Sequence, residues 1–461
     1  MNADRDELRK LPSIERVVSE MGPLAPHRSM VRAARRAVDE ARRTIERGDH
    51  LDAGDIVVRA RELIDAALRS RLQPVINATG VLIHTNLGRV PLSDTQLDAV
   101  AAVSSGYSNL EYDVVAGRRG SRHEHAADIL CEITGAEAAL VVNNNAAGVL
   151  VALAALCEGR EVIVSRGELV EIGGGFRIPD VLRASGARLT EVGTTNRTHL
   201  ADYEKAIGPD TAAILKVHPS NYRVVGFTAS VPATELAATA HGRDLILIHD
   251  LGSGLLAADE HEPWIAADIP APIALEDGAD VVTFSGDKLM GGPQAGVIVG
   301  RRELVERIRR HPLMRAIRPD KMTLAALEAT AAACLAGDHR SLPLWEMALA
   351  PEGKLAERAE ALRDTLADLA GRGTKIEALA SEAVMGGGAL PGERLASHAV
   401  AVEVPGIGPD ELDRRFRGGA PPVIGRIADG RFLLDLRTID PADDALLADR
   451  IRRATAPTSA P

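Results

Sequence analysis

Between about residues 73 and 337, short apolar runs alternate with longer helical segments: Ala139–Val142, Val162–Val164, Ala213–Leu215, Leu245–Ile248 and Val281–Val282. The runs are continuous, with no polar residue at every second position. Strands of that kind are buried on both faces and belong to a mostly parallel sheet with helices packed either side, so the fold class is read as α/β. Ligands of such sheets sit at the carboxyl ends of the strands. Polar residues stand there: Asn143-Asn144-Asn145, Ser165-Arg166, His218-Pro219-Ser220-Asn221, His249-Asp250 and Ser285-Gly286-Asp287-Lys288. Five strand ends facing one crevice point to a site more strongly than any one of them.

At 461 residues the chain exceeds what one core organises, so two or three domains are expected, and the pattern along the chain divides it into three. Residues 1–72 read as purely helical, with turns at Gly22-Pro23, Pro26 and Gly48-Asp49-His50. Residues 73–337 hold the alternating core. Residues 338–461 read as a small α+β domain, with a helix from Pro351 to Leu369, strands at Ser397–Glu403 and Arg431–Leu436, a helix over 441–454 and a disordered ATAPTSAP tail. Internal repeats are absent from the sequence. Aromatics make up only 2% of the chain, so Ala, Val and Leu must pack the core.

The net charge of −11 argues against general nucleic-acid affinity but allows a local basic patch. One such patch is the helix from Ser29 to Arg47, which carries Arg28, Arg32, Arg35, Arg36, Arg42, Arg43 and Arg47 at spacings that share faces. It reads either as a solvated face paired with Asp39, Glu40 and Glu46 or as an RNA-backbone surface. Cys131, Cys157 and Cys334 lack paired-ligand spacing, which fits a reducing cytoplasm and no metal site. No signal-type h-region opens the chain and no apolar stretch of about 18 residues occurs, so a cytoplasmic protein without membrane spans is expected.

Lys288 stands in SGDKLMGGPQAG, directly after an apolar run. A phosphate-binding P-loop is excluded because Leu289, not Ser or Thr, follows the lysine. A surface turn, a structural ion pair and an amine nucleophile remain. Asn143–Gly148 joins a strand to an apolar helix and reads equally as an N-cap or as a phosphate cradle. Asp250, at a strand end with no cluster of metal ligands, reads as the charge partner of a cation in the crevice, such as a protonated pyridine nitrogen. Ser285 is placed to offer a hydroxyl to the same phosphate.

Together, the small-residue cradle, the aspartate and S-x-x-K followed by Gly-Gly-Pro resemble pyridoxal phosphate enzymes of fold type I. Longer segments narrow the likeness: LPSIERVV at 11–18, INATGVLIHTNLGRVPLS at 76–93, YSNLEYDVVAGRRGSRHEH at 107–125, SRGELVEIGGGFRIPDVL at 165–182, GTTNRTHLADY at 193–203, KVHPSNYRVVGFT at 216–228 and HPLMRAIRPDKMTLAALEAT at 311–330. These are similar to bacterial selenocysteine synthases, the L-seryl-tRNA(Sec) selenium transferase family. The resemblance implies a homo-oligomer, at least a dimer and up to a pentamer of dimers, that converts seryl-tRNA(Sec) to selenocysteinyl-tRNA(Sec) with selenophosphate through an aminoacrylyl-tRNA. It implies pyridoxal 5′-phosphate on Lys288, with Asn145, Ala146, Ala147, Asp250, Ser285 and His218 around it. It also implies Lys288, Asp287 and Asp250 as catalytic residues, and Arg89, Arg315 and Arg318 as ligands of the selenium donor. Asp287 stays open between a catalytic or positioning role and a structural one.

Arg315 and Arg318 are expected one helical turn apart, converging on one oxyanion. Arg426 and Arg437 stand where related enzymes clamp a free carboxylate, which an esterified substrate lacks, so neither is assigned to the site. The resemblance also favours the arginine face of residues 28–47 as a tRNA surface. Two rivals stand beside this reading: an ammonia-lyase of the same branch acting on a small amino acid or amino sugar acid, and a catalytically idle RNA-binding scaffold.

Overall fold

The computed structural model describes residues 8–47, 52–172, 175–257, 264–265 and 268–457. The chain divides into two compact units, residues 1–74 and 75–461. The turn expected at Gly48–His50 lies outside the described residues, as does the end of the tail, 458–461.

In the first unit, α1 (Ile14–Met21), α2 (His27–Glu46) and α3 (Ala53–Leu68) pack together. The Ser13 hydroxyl starts α1 by accepting from the Arg16 amide. Val17, Val18, Met21, Ala34, Ala37, Val38, Ile56, Ala60 and Ile64 recur at helical spacing and are buried against one another. That leaves the seven arginines of residues 28–47 exposed. Two are paired, Arg36 with Glu40 at 3.0 Å and Arg42 with Asp39 at 2.9 Å. Arg28, Arg32, Arg35, Arg43 and Arg47 make no ion pair among the described residues.

The second unit is built on a seven-stranded sheet. Its strands are β1 (Ala138–Val142), β2 (Glu161–Ser165), β3 (Arg188–Val192), β4 (Thr211–Val217), β5 (Ile246–Gly252), β6 (Val281–Ser285) and β7 (Gly296–Gly300). They lie in the order β1-β7-β6-β5-β4-β2-β3. Only β7 runs against the rest, pairing antiparallel with both β6 and β1. Each face is covered. On one, Val149 and Leu153 of α4 (Asn145–Cys157) pack with Val162, Leu215, Ile248 and Ile298. On the other, Leu324 and Leu327 of α5 (Lys321–Leu335) pack with Ile163, Ile214, Leu247 and Val282. Burial on both sides is why these strands read as unbroken apolar runs.

Residues 338–461 do not separate from this unit. They add a four-stranded antiparallel sheet of β8 (Lys375–Val384), β9 (Arg394–Glu403), β10 (Arg426–Ala428) and β11 (Arg431–Asp435), in the order β8-β9-β11-β10. The helices expected there run over Glu352–Thr365 and Asp444–Thr455, so Ala454 and Thr455 of the expected tail are helical. Ile76-Asn77 pairs in parallel with Val423-Ile424, which fastens the start of the unit to its end.

Candidate active site

Residues directly opposite each other in the sheet point to the same face. Asp250 lies opposite Thr283 of β6 and Val217 of β4, while His249 lies opposite Lys216 and Val282. Asp250 therefore faces α4, and His249 and Lys216 face the other layer. His249, one of the polar strand-end residues in the sequence, is thus turned away from the site. It is fully buried, its ring nitrogens have no hydrogen-bond partner among the described residues, and burial holds its pKa well below the ordinary value. Lys216 is already paired, 3.2 Å from Glu168.

Asp250 is buried and held in place. Its Oδ1 accepts from Asn145 Nδ2 at 2.8 Å and from Thr283 Oγ1 at 2.9 Å. Burial raises its pKa above the ordinary carboxylate range, and those two hydrogen bonds and the Lys288 charge oppose the rise. Asn145 thus orients the aspartate. The helix cap is its neighbour Asn144, whose side chain accepts from the Ala147 amide at 2.9 Å. The cap claims that amide, which leaves the backbone of Asn145 and Ala146 as the open part of the expected cradle. Gly296 lets β7 pass beneath this turn, since a Cβ there would lie 2.3 Å from the Asn144 carbonyl oxygen.

Lys288 follows β6 in a tight turn closed by Gly291 N donating to Lys288 O at 2.9 Å. It is 5% exposed, and among the described residues the one hydrogen bond of its amine is to Gly388 O at 3.4 Å. Burial and the nearby Arg89 charge lower its pKa, against the pull of Asp250, Asp287 and Asp268. An amine so placed is easier to deprotonate than a surface lysine. Ser285, at the end of β6, is buried and its hydroxyl has no partner among the described residues.

Asp287 pairs with Arg89, Oδ2 to Nε at 3.1 Å. Burial raises the Asp287 pKa, opposed first by the Arg89 charge. Arg89 is aimed by the chain before it. Thr85–Leu87 forms a 3-10 turn, His84 O accepts from both Leu87 N and Arg89 N, and Arg89 itself adopts φ +70°, which is costly for a residue with a side chain. Its Nη1 is buried without a hydrogen-bond partner among the described residues. Arg89 and Asp287 line a cavity of about 390 Å3 with Thr85, Val90 and Gln294.

The other two expected arginines are elsewhere. Arg315 ends a 3-10 turn, Pro312–Arg315, and Arg318 lies beyond it, so the expected helical turn between them does not exist. Arg318 faces Glu111 at 3.6 Å, and neither arginine lines the Arg89 cavity. Their segment does reach the neighbourhood of α4, because Asn143 N donates to Ile317 O at 2.8 Å.

His218 donates its backbone amide to Asp250 O at 2.8 Å, and its ring lies 3.5 Å from Asp268, a buried carboxylate that the sequence reading missed. His218 also lines a larger cavity of about 570 Å3. Arg426 and Arg437 are both engaged. Arg426 donates to Thr79 O at 2.7 Å and pairs with Asp435, and Arg437 donates to Met347 O, Ala348 O and Ala396 O.

A buried lysine after one strand, a buried aspartate at the end of the adjacent strand and a helix start beside it define a pyridoxal phosphate enzyme of fold type I. The residues fit that cofactor: Asp250 is a buried acceptor held for a cationic ring nitrogen, and Lys288 is a buried amine.

Residues 75–440 match the family described as L-seryl-tRNA selenium transferase. The chain is 46% identical over 458 residues to the L-seryl-tRNA(Sec) selenium transferase of Geotalea daltonii, covering 95% of this chain and 97% of the relative. It is 44% identical over 463 residues to that of Moorella thermoacetica, covering 98% and 97%. A solved structure of D-glucosaminate-6-phosphate ammonia-lyase superposes with a TM-score of 0.56 at 22% identity, over 83% of this chain and 96% of that one, a likeness of fold. The chain belongs to the L-seryl-tRNA selenium transferase family.

Proposed function

We infer that this chain converts seryl-tRNA(Sec) into selenocysteinyl-tRNA(Sec), with selenophosphate as the selenium donor. The observation that carries the reading is near-full-length identity to transferases, together with a buried Lys288–Asp250 pair of the kind the chemistry needs. When bound, pyridoxal phosphate supplies an electron sink for charge developing at the seryl Cα. Lys288 holds the cofactor and then moves the Cα proton at its Nζ. Asp250, held by Asn145 and Thr283, would pair as a carboxylate with the ring nitrogen. Ser285 and the amides at the start of α4 would hold the phosphate, and His218 would stand beside the ring. Loss of the β-hydroxyl opens the β-carbon to selenium.

Arg89 grips the tetrahedral oxyanion of the donor, and Asp287 positions Arg89 by taking one edge of its guanidinium. Arg315 and Arg318 add positive charge toward the same donor from outside the Arg89 cavity. The arginine face of α2 docks the tRNA backbone, an electrostatic role that suits a basic patch on an acidic chain. The chain acts as a homo-oligomer, at least a dimer and in this reading a pentamer of dimers. Exposed apolar side chains such as Val115 and Phe227 fit surfaces covered by another copy. No described helix is long and apolar enough to cross a membrane. A cytoplasmic enzyme fits its tRNA substrate.

Incubation with seryl-tRNA(Sec) and selenophosphate tests the reading. Selenocysteinyl-tRNA is the expected product. An unchanged ester, with deamination of a small amino acid instead, would favour the ammonia-lyase class.

A further inference from the structure

Ser220 is 1% exposed, and its hydroxyl is buried without a hydrogen-bond partner among the described residues. A buried hydroxyl left unpaired is costly, so an orphan of this kind asks for a partner that comes and goes. Its surroundings name one. The position a Cβ would take on Gly252 lies 3.6 Å from Ser220 Oγ and 4.0 Å from Lys288 Nζ. The corresponding point on Gly388 lies 3.5 Å from Lys288 Nζ and 3.8 Å from Ser220 Oγ. Hydroxyl and amine thus border the same two glycines, in space that any side chain at 252 or 388 would fill.

The backbone around them is built for this approach. Gly386, Gly387 and Gly388 all lie in the left-handed region, at φ +74°, +62° and +74°. That run is strained for residues with a Cβ, and a Cβ on Gly387 would also lie 2.3 Å from Ile83 Cγ2. The outcome is that Gly388 presents its carbonyl oxygen to Lys288 Nζ at 3.4 Å, a long bond that leaves the amine under-satisfied.

We propose that Ser220 is a positioning residue for Lys288, and that its hydroxyl and the Gly388 carbonyl together hold the lysine amine whenever that amine is free of the cofactor. The proposal rests on the reading that Lys288 carries the cofactor. The free amine takes the Cα proton and becomes an ammonium with three N–H donors. Gly388 O accepts from one, Ser220 Oγ accepts from a second, and the proton returns from the ammonium when Cα is reprotonated. The charged groups facing Lys288 are the carboxylates of Asp250, Asp287 and Asp268 and the guanidinium of Arg89. None of them gives the amine a hydrogen bond, so a neutral hydroxyl supplies what they do not. The flexible four-carbon stem of lysine lets the amine swing between this rest and the cofactor.

The experiment compares Ser220→Ala, Ser220→Thr, Lys288→Ala and wild type. Each apoprotein is mixed with pyridoxal phosphate across pH, and linkage is followed by the visible absorbance of the lysine-linked cofactor. Only the neutral amine reacts. Removing an acceptor from the ammonium therefore moves the midpoint of linkage to lower pH, by about one unit for Ser220→Ala. Ser220→Thr keeps the hydroxyl and stays near wild type. With seryl-tRNA, Ser220→Ala lowers kcat about tenfold and leaves KM unchanged.

A wild-type linkage midpoint in Ser220→Ala overturns the proposal. So does a displaced absorption maximum of its fully loaded form at every pH, because Ser220 would then be touching the cofactor. Absorbance that survives in Lys288→Ala overturns the assignment of Lys288 itself, a failure visible apart from any effect at Ser220.

Discussion

Asn145→Ala isolates the support that Asp250 receives. The substitution removes one hydrogen bond of 2.8 Å to a buried carboxylate and leaves the helix cap, Asn144, untouched. Thr283 still donates to the same oxygen at 2.9 Å. A hydrogen bond to a charged group contributes about 1.5–3 kcal/mol, which corresponds to about one to two pH units in the carboxyl's titration. The sign follows from which form is favoured. Asn145 stabilises the carboxylate, burial already pushes its pKa up, and losing Asn145 pushes it further up. In the proposed mechanism Asp250 must be ionised to pair with the ring nitrogen, so the acidic limb of kcat against pH moves to higher pH by about one unit or more. Cofactor retention weakens about tenfold. The assay is kcat measured across pH in Asn145→Ala, Asp250→Asn and the double variant. In the Asp250→Asn background Asn145→Ala should have no further effect on the limb, because no carboxylate remains to titrate. A wild-type limb in Asn145→Ala would mean that Asn145 does not hold Asp250 ionised.

Three further outcomes are expected. Asp287→Asn frees the Arg89 guanidinium from its anchor and raises KM for selenophosphate about tenfold while KM for seryl-tRNA holds; equal changes in both would remove the pair from donor binding. Arg437→Ala strips a buried guanidinium from three carbonyls and destabilises the second unit by about 3 kcal/mol, read as a lower urea midpoint of its unfolding; an unshifted midpoint would make those bonds dispensable. Replacing Arg32 and Arg35 together with alanine lowers the slope of log affinity for seryl-tRNA against log salt by about one to two, and an unchanged slope would place the RNA elsewhere.

The fold is legible in the sequence where burial is two-sided. β5 and β6 announce themselves as apolar runs, and Asp250 and Lys288 are conspicuous because each is a charge at the end of one. What escapes the sequence is pairing at long range. Asn145 reads as a cap or an anion cradle, since nothing local reveals a partner 105 residues away. Arg89 and Asp287 can each be singled out, yet the ion pair between them exists only once the turn at residues 85–89 is folded. His249 looks equivalent to Asp250 as a strand-end polar residue, and only sheet register separates the faces they point to. The spacing of Arg315 and Arg318 misleads because a three-residue interval suggests a helix, whereas Pro312 opens a short 3-10 turn that ends at Arg315. Ser220 stands in a polar strand-end cluster, yet nothing in the sequence brings it to Lys288. The Gly386–Gly388 run does, since three consecutive glycines mark backbone that must adopt conformations closed to other residues.

The central claim is that Lys288 and not another lysine carries the cofactor. Lys216 is the informative competitor, since it is also largely buried and stands on the strand next to Asp250, but it faces the opposite layer and is paired with Glu168. Reducing the loaded protein with borohydride, digesting it and locating the pyridoxyl mass by fragmentation measures the point directly. The label is expected on Lys288. A label on Lys216, or one that persists in Lys288→Ala, would contradict it.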